Sequence, residues 1–351
     1  MTIFDILDLL ITQEGSDVHI VAGMPPTLRV HGALIHVEGT PVLTGDMTKV
    51  LIEPLLTQEQ KDYIKVNKEL DFGYQFNDKG RFRINVYHAK DTLAAALRLI
   101  PAKVKTIEEL QLPAVLHDFT TYRQGLILLT GPTGEGKSTT LAALIDEINN
   151  TRAEHILTIE DPIEFVYQSN KSLISQREVN HDTIGWEIAL RSALREDPDI
   201  VLIGEMRDYE TISSAITIAE TGHLVFATLH TATAAQTIDR MIDVFPAHQQ
   251  AQIRQQLAAT VKVVASQRLL PRIDGGRYAA LEIMVANAAV RNLIRESKTH
   301  QIDSVIQTSS ESGMMLFEKH LVQLIQQGII SREIAIERAF RPDELHRLLG
   351  S

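Results

Sequence analysis

The spacing of apolar residues changes twice along this chain. Up to about residue 100, short strand-like and helical pieces alternate between turn signals such as Gly23-Met24-Pro25-Pro26, Val37-Glu38-Gly39-Thr40 and Asn77-Asp78-Lys79-Gly80. Within this part, residues 81–87 alternate polar and apolar side chains and predict a strand with one buried face. The pattern breaks near Ile100-Pro101-Ala102, and Thr106-Ile107-Glu108-Glu109-Leu110 predicts a restart as a capped helix. A small α+β domain over 1–98 and a linker over 99–105 follow. From about 120, uninterrupted apolar runs alternate with amphipathic stretches. The runs 126–130, 155–159, 200–203 and 224–228 predict buried parallel strands, each ending in a polar cluster. An α/β core is expected over 106–270, then a mostly helical region over 271–351 with helical apolar spacing at 316–325 and a polar tail. In an open parallel sheet, ligands bind beyond the carboxyl ends of the strands, so the four polar clusters are expected to meet at one ligand.

Composition narrows this picture. The 351 residues suggest two or three domains, and 44% apolar content is ample for packed cores. No run reaches the length of a membrane span, and the start Met1-Thr2-Ile3-Phe4-Asp5 lacks the features of a secretory signal, so a cytoplasmic location is expected. Zero cysteines exclude disulfides, thiol catalysis and cysteine-ligated zinc. A net charge of −11 disfavours non-specific nucleic-acid binding.

The candidate chemistry starts at Gly131, Pro132, Thr133, Gly134, Glu135, Gly136, Lys137 and Ser138, which fit G-x-x-x-x-G-K-[ST] between a strand-like run and a helix-like run opening at Thr139. Glycines let successive backbone N–H groups face one anion, and a helix N-terminus adds positive potential. Lys137 would reach the β- and γ-phosphates of a nucleotide, and Ser138 would hold Mg²⁺. The apolar run Ile200-Val201-Leu202-Ile203 ends at Gly204-Glu205, the form of a Walker B strand whose acid either joins the Mg²⁺ shell through water or polarises the attacking water. Between these lie Glu160, Asp161 and Glu164. Clustered acids need a compensating cation, and Glu164 or Glu205 is the expected general base, with the choice open. His223 and His230 bracket one predicted strand, which puts His230 at its carboxyl end, where it could donate to phosphate. Two histidines without a third ligand at a suitable spacing do not make a metal site. Candidate arginines for transition-state charge are Arg81, Arg83 and Arg98, with Arg195 and Arg207 further on.

With these segments in order, the chain closely resembles the secretion ATPase superfamily, and within it the type IV pilus retraction ATPases of the PilT family. The matching stretches are the phosphate loop 131–138, an Asp box at 155–165, the Walker B stretch 198–208, a His box at 221–246 and Ala289-Val290-Arg291-Asn292-Leu293-Ile294-Arg295-Glu296. Similarity runs from about residue 3 to 338. The resemblance implies a PAS-like N-terminal domain, a RecA-like ATPase domain and a homo-hexameric ring with nucleotide bound between the two. It also implies ATP and Mg²⁺ as cofactors and an inner-membrane pilus platform protein (PilC-like) as the partner. That partner would place the protein at the inner face of the inner membrane without further membrane contact. Carried over, Lys137 and Ser138 bind phosphate and Mg²⁺, Glu164 is the base, Glu205 is the Walker B acid, and His223 and His230 are His-box residues at the nucleotide. Arg81, Arg83 and Arg98 are the N-terminal arginines.

Some positions depart from the family pattern. Glu135 stands where a serine or alanine is common, and its charge is expected to weaken nucleotide binding through repulsion. Residues 88–92 lack an arginine, Arg123 is shifted by one position, and the tail 340–351 is unmatched. Pilus-extension and type II secretion ATPases share the motor residues but usually carry an extra N-terminal domain and a four-cysteine zinc site, so retraction is favoured. A RecA-like nucleic-acid motor is disfavoured by the acidic balance and the 5% aromatic content. An inactive paralogue would need a broken phosphate loop, and this one is intact.

Overall fold

The computed structural model describes residues 1–30, 32–100 and 103–350, so Pro101 and Ala102 of the expected linker and Ser351 of the tail lie outside the described residues. The chain forms two units. One comprises residues 1–103 with 162–166, the other residues 104–161 with 167–351.

The first unit is built on an antiparallel sheet of β1 (Gly15–Ile20), β2 (Thr27–Val30), β3 (Ala33–His36), β4 (Glu69–Phe76), β5 (Gly80–Ala89) and β6 (Thr92–Ile100), ordered β3-β2-β1-β6-β5-β4. The alternation read at 81–87 is the alternation of β5. Phe82, Ile84 and Val86 are fully buried and share a core with Ile3, Leu7, Ile52 and Ile64 from the helices Ile3–Thr12, Gly45–Ile52 and Gln58–Asn67. Arg81 and Arg83 point to the other face because successive strand residues do. Arg98 of β6 lies opposite Arg83 in the ladder and joins them there.

Residues 106–111 form a single capped turn where a helix was expected. Thr106 and Glu109 exchange the reciprocal capping hydrogen bonds, 2.9 and 3.1 Å. The chain then leaves at Gln111, with φ 54°, and Pro113 lies just beyond, so the turn cannot propagate.

The second unit holds a seven-stranded sheet of β7 (Gly125–Thr130), β8 (His155–Glu160), β9 (Leu173–Glu178), β10 (Ile200–Ile203), β11 (Leu224–Leu229), β12 (Val261–Pro271) and β13 (Arg277–Val285). Its order is β13-β12-β7-β11-β10-β8-β9, with every pairing parallel except that of β13. The continuous apolar runs reflect burial on both faces. Leu126, Leu128, Val201, Ile203, Val225 and Ala227 enter one core, while Ile127, Leu129, Ile200, Leu202, Leu224 and Phe226 enter the other. The region after 271 opens with β13 before turning helical. Its residues 278–284 are apolar and buried apart from Glu282, itself fully buried, so the strand carries no helical periodicity. The polar tail is the amphipathic helix Pro342–Gly350, which buries Leu345. Among the described residues no helix is long and apolar enough to cross a membrane.

Candidate nucleotide-binding site

The phosphate loop leaves β7 at Thr130 and enters the helix Lys137–Thr151. Gly131 has φ 139°, and a Cβ there would lie 2.4 Å from the Gln267 carbonyl oxygen, so the loop can pass β12 only as glycine. Gly136 caps the helix in the left-handed region, φ 78°. Lys137 is only 8% exposed. Its Nζ donates to the carbonyls of Gly131 (2.6 Å) and Pro132 (2.9 Å), which holds the ammonium inside the loop that would wrap a phosphate. Ser138 and Thr139 follow in the first turn, where backbone N–H groups have no helical partner and the helix dipole attracts an anion.

Two strands away in the same sheet, the Walker B strand β10 delivers Glu205. β11 lies between β7 and β10, so the Glu205 strand stands about 10 Å from the phosphate-loop strand. The strand tips are tied together. The Gly131 N–H donates to Leu229 O (3.2 Å), the Thr228 hydroxyl to Gly204 O (2.6 Å), and the Met206 N–H to Thr228 O (3.0 Å). These bonds bring Glu205 beside His230, the residue following β11, at 2.6 Å between Oε1 and Nε2. Arg207 grips the same carboxylate through Nε (2.6 Å) and a terminal nitrogen (2.8 Å). Burial pushes the Glu205 carboxyl up, but hydrogen bonds from Arg207 and His230 outweigh burial and hold it below the usual glutamate value. The carboxylate is therefore ionised and able to accept a proton-bearing or cationic partner.

The other predicted residues are placed as follows. The three acids between β8 and β9 diverge. Glu160 turns back to accept from the Thr158 hydroxyl (2.7 Å). Asp161 lies near enough to Arg207 to reinforce its charge. Glu164 belongs to the segment grouped with the first unit, where its carboxylate is 3.8 Å from Arg83. Arg83 also binds Asp71 in a two-point pair (3.0 and 2.6 Å), and Arg98 donates to Asp17 (2.8 Å). These arginines thus share one sheet face with Arg81, each of the two braced by a carboxylate.

His223 does not join the cluster expected of it. β11 pairs with β7 so that Leu224 faces Gly125, and the His223 carbonyl accepts from the Gly125 N–H (3.0 Å) at the amino end of both strands. The phosphate loop lies at the other end, about 20 Å along a six-residue strand. The His223 ring contacts Ile218 O (3.1 Å) and the Thr221 hydroxyl (3.0 Å), which fixes the entry to the strand. Arg123 also sits at this far end, paired with Glu154.

β12, which lay outside the predicted strands, supplies residues that the sequence reading missed. Gln267 is 2% exposed. Its amide donates to Glu135 O (2.6 Å) and accepts from the Thr140 hydroxyl (2.8 Å), clamping the loop against the helix that follows. The Glu135 carboxylate accepts from the Leu269 N–H and lies 3.8 Å from the Arg268 guanidinium. The charge of Glu135 is turned onto β12 and partnered there, which works against the expected repulsion. The sequence signal was the polar triplet Ser266-Gln267-Arg268 inside an otherwise apolar run.

Residues 93–341 match the family described as Type II/IV secretion system protein. The chain is 49% identical over 343 residues to the type IV pilus retraction ATPase PilT of Pseudomonas aeruginosa, covering 98% of this chain and 99% of that protein. It is 47% identical over 340 residues to a twitching motility protein of Neisseria gonorrhoeae, covering 96% and 91%. A crystal structure of the pilus retraction motor PilT with bound ADP superposes with a TM-score of 0.92 at 43% identity, covering 99% of each chain. The fold is thus that of a RecA-like ATPase core with a smaller α+β N-terminal domain, and the protein is an ATPase. The chain belongs to the Type II/IV secretion system protein family, within the PilT group of type IV pilus retraction ATPases.

Proposed function

We propose that this chain is a Mg²⁺-dependent ATP-hydrolysing motor that powers type IV pilus retraction and twitching motility. The observation that carries the reading is the joined set of strand tips, with the Lys137 ammonium inside the loop after β7 and the Glu205–His230 pair after β10 and β11. Gly131, Pro132, Thr133, Gly134, Glu135, Gly136, Lys137, Ser138 and Thr139 form the phosphate cradle, in which backbone N–H groups and Lys137 neutralise the β- and γ-phosphates.

The residues suit a hard cation held chiefly by phosphate and water, since those assigned to it are a hydroxyl, Ser138, and an ionised acid, Glu205. A bound Mg²⁺ would neutralise charge on the transferring phosphoryl group. Water attacks the γ-phosphorus, the bond to the ADP oxygen breaks, and the water proton passes to a carboxylate. We assign that proton to Glu164, which stands at the base position of the PilT pattern, and leave Glu205 with Arg207 and His230. His230 then reads the terminal phosphate through Glu205, and Arg81, Arg83 and Arg98 supply positive charge. A homo-hexamer that acts on an inner-membrane pilus platform protein (PilC-like), at the inner face of that membrane, completes the proposal.

Lys137→Ala should abolish phosphate release while thermal melting shows a folded protein. Normal turnover in that variant would end the assignment. Deletion in the native host should leave long, non-retracting pili, and absent pili would instead indicate assembly.

A further inference from the structure

The tail that the motifs left unassigned reaches both halves of the nucleotide site. Phe340 stacks on Phe317 at 4.3 Å between centroids and carries the Arg268 guanidinium over its ring at 5.2 Å. Arg268 in turn faces the Glu135 carboxylate of the phosphate loop at 3.8 Å. The next residue, Arg341, donates to Glu282 (3.1 Å), Glu318 (2.9 Å) and Asp303 (2.6 Å). Glu282 and Glu318 are fully buried, so this guanidinium supplies hydrogen-bond donors that their carboxyl groups need in the core. The second oxygen of Glu282 accepts from the Ala234 N–H (3.0 Å), the first residue of the helix Ala234–Asp243. That helix follows β11 after only four intervening residues, the first of which is His230.

We propose that Phe340 and Arg341 are positioning residues for the proposed ATPase reaction, Phe340 setting the phosphate loop through Arg268 and Arg341 setting the His230 loop through Glu282. The inference rests on the motor reading above. A cation over an aromatic face and a guanidinium among three carboxylates are both strongly directional, so each link transmits a position as well as an attraction. The two links end on different parts of the site. Loosening the phosphate loop weakens ground-state and transition-state binding alike, whereas displacing His230 affects the step in which charge develops.

Steady-state ATPase assays on the full chain with Mg²⁺, alongside thermal melts, test this. Phe340→Leu should raise KM for ATP two- to fourfold with kcat within twofold. Arg341→Lys should lower kcat at least fivefold with KM within twofold. If Arg341→Lys does not fold, Glu282→Gln weakens the same link with little change of shape and should show the same kcat signature. A tail that merely holds the fold together would lower apparent kcat only in proportion to the folded fraction read from the melts and would leave KM unchanged in both variants, and that result overturns the proposal, as do constants within twofold of wild type. Failure of the wild-type protein itself to hydrolyse ATP would instead overturn the motor reading.

Discussion

His230 donates through Nε2 to Oε1 of Glu205 at 2.6 Å, and the same oxygen receives Nε of Arg207 at 2.6 Å. One carboxylate oxygen thus gathers the ends of two strands and a cationic side chain. A group so saturated holds its neighbours in place.

His230→Ala should lower kcat about ten- to hundredfold, in the range of a lost catalytic hydrogen-bonding group, while KM stays within threefold. Glu205→Gln should cost at least as much. Because the two residues act as a pair, the double variant should lose little beyond Glu205→Gln alone. Phosphate-release kinetics on the three variants check this, and simple additivity would contradict it.

Glu135→Ala should weaken ATP binding, the opposite of what removing a repulsive charge would do. The variant loses the bond from the Leu269 N–H and the Arg268 pairing that hold the loop, about 1 kcal/mol of anchoring. A two- to fivefold rise in KM is expected, and a fall in KM would restore the repulsion argument.

Gln267→Ala should lower the melting temperature and raise KM together. The amide is buried and serves both Glu135 O and the Thr140 hydroxyl, so its loss strands two polar groups at about 1–3 kcal/mol. For a unit of this size that corresponds to a fall of several degrees in a melting experiment.

Stability should decline as pH falls from about 6.5 toward 4. Burial lowers the His320 pKa to about 4, and its Nδ1 accepts from the Leu281 N–H at 2.9 Å, so the native ring stays neutral where the unfolded ring takes up a proton. Across that window the unfolded state binds more protons, so unfolding free energy rises with pH and levels off above the unfolded pKa. The full effect is roughly 3 kcal/mol. His320→Asn, which keeps an acceptor for Leu281, should show a shallower slope between pH 7 and 5.5 in denaturant titrations. An unchanged slope would refute the assignment.

The strands β7, β8, β10 and β11 were legible because burial on both faces leaves uninterrupted apolar runs such as Leu126-Ile127-Leu128-Leu129. Glu205 and His230 were legible because each stands directly beyond such a run. β12 was not, because Ser266, Gln267 and Arg268 break its apolar pattern, and they do so in order to serve the phosphate loop. The length of β11 separates His223 from His230, and a motif spanning both strand ends reads as one cluster only until pairing with β7 sets the direction. The roles of Glu282 and Arg341 depend on contacts between residues 59 positions apart, which no local pattern encodes.

The ammonium of Lys137 rests on two carbonyls of its own loop before any triphosphate arrives. In the proposed motor a phosphate must therefore take that cation from the two carbonyls, so the loop itself competes for Lys137.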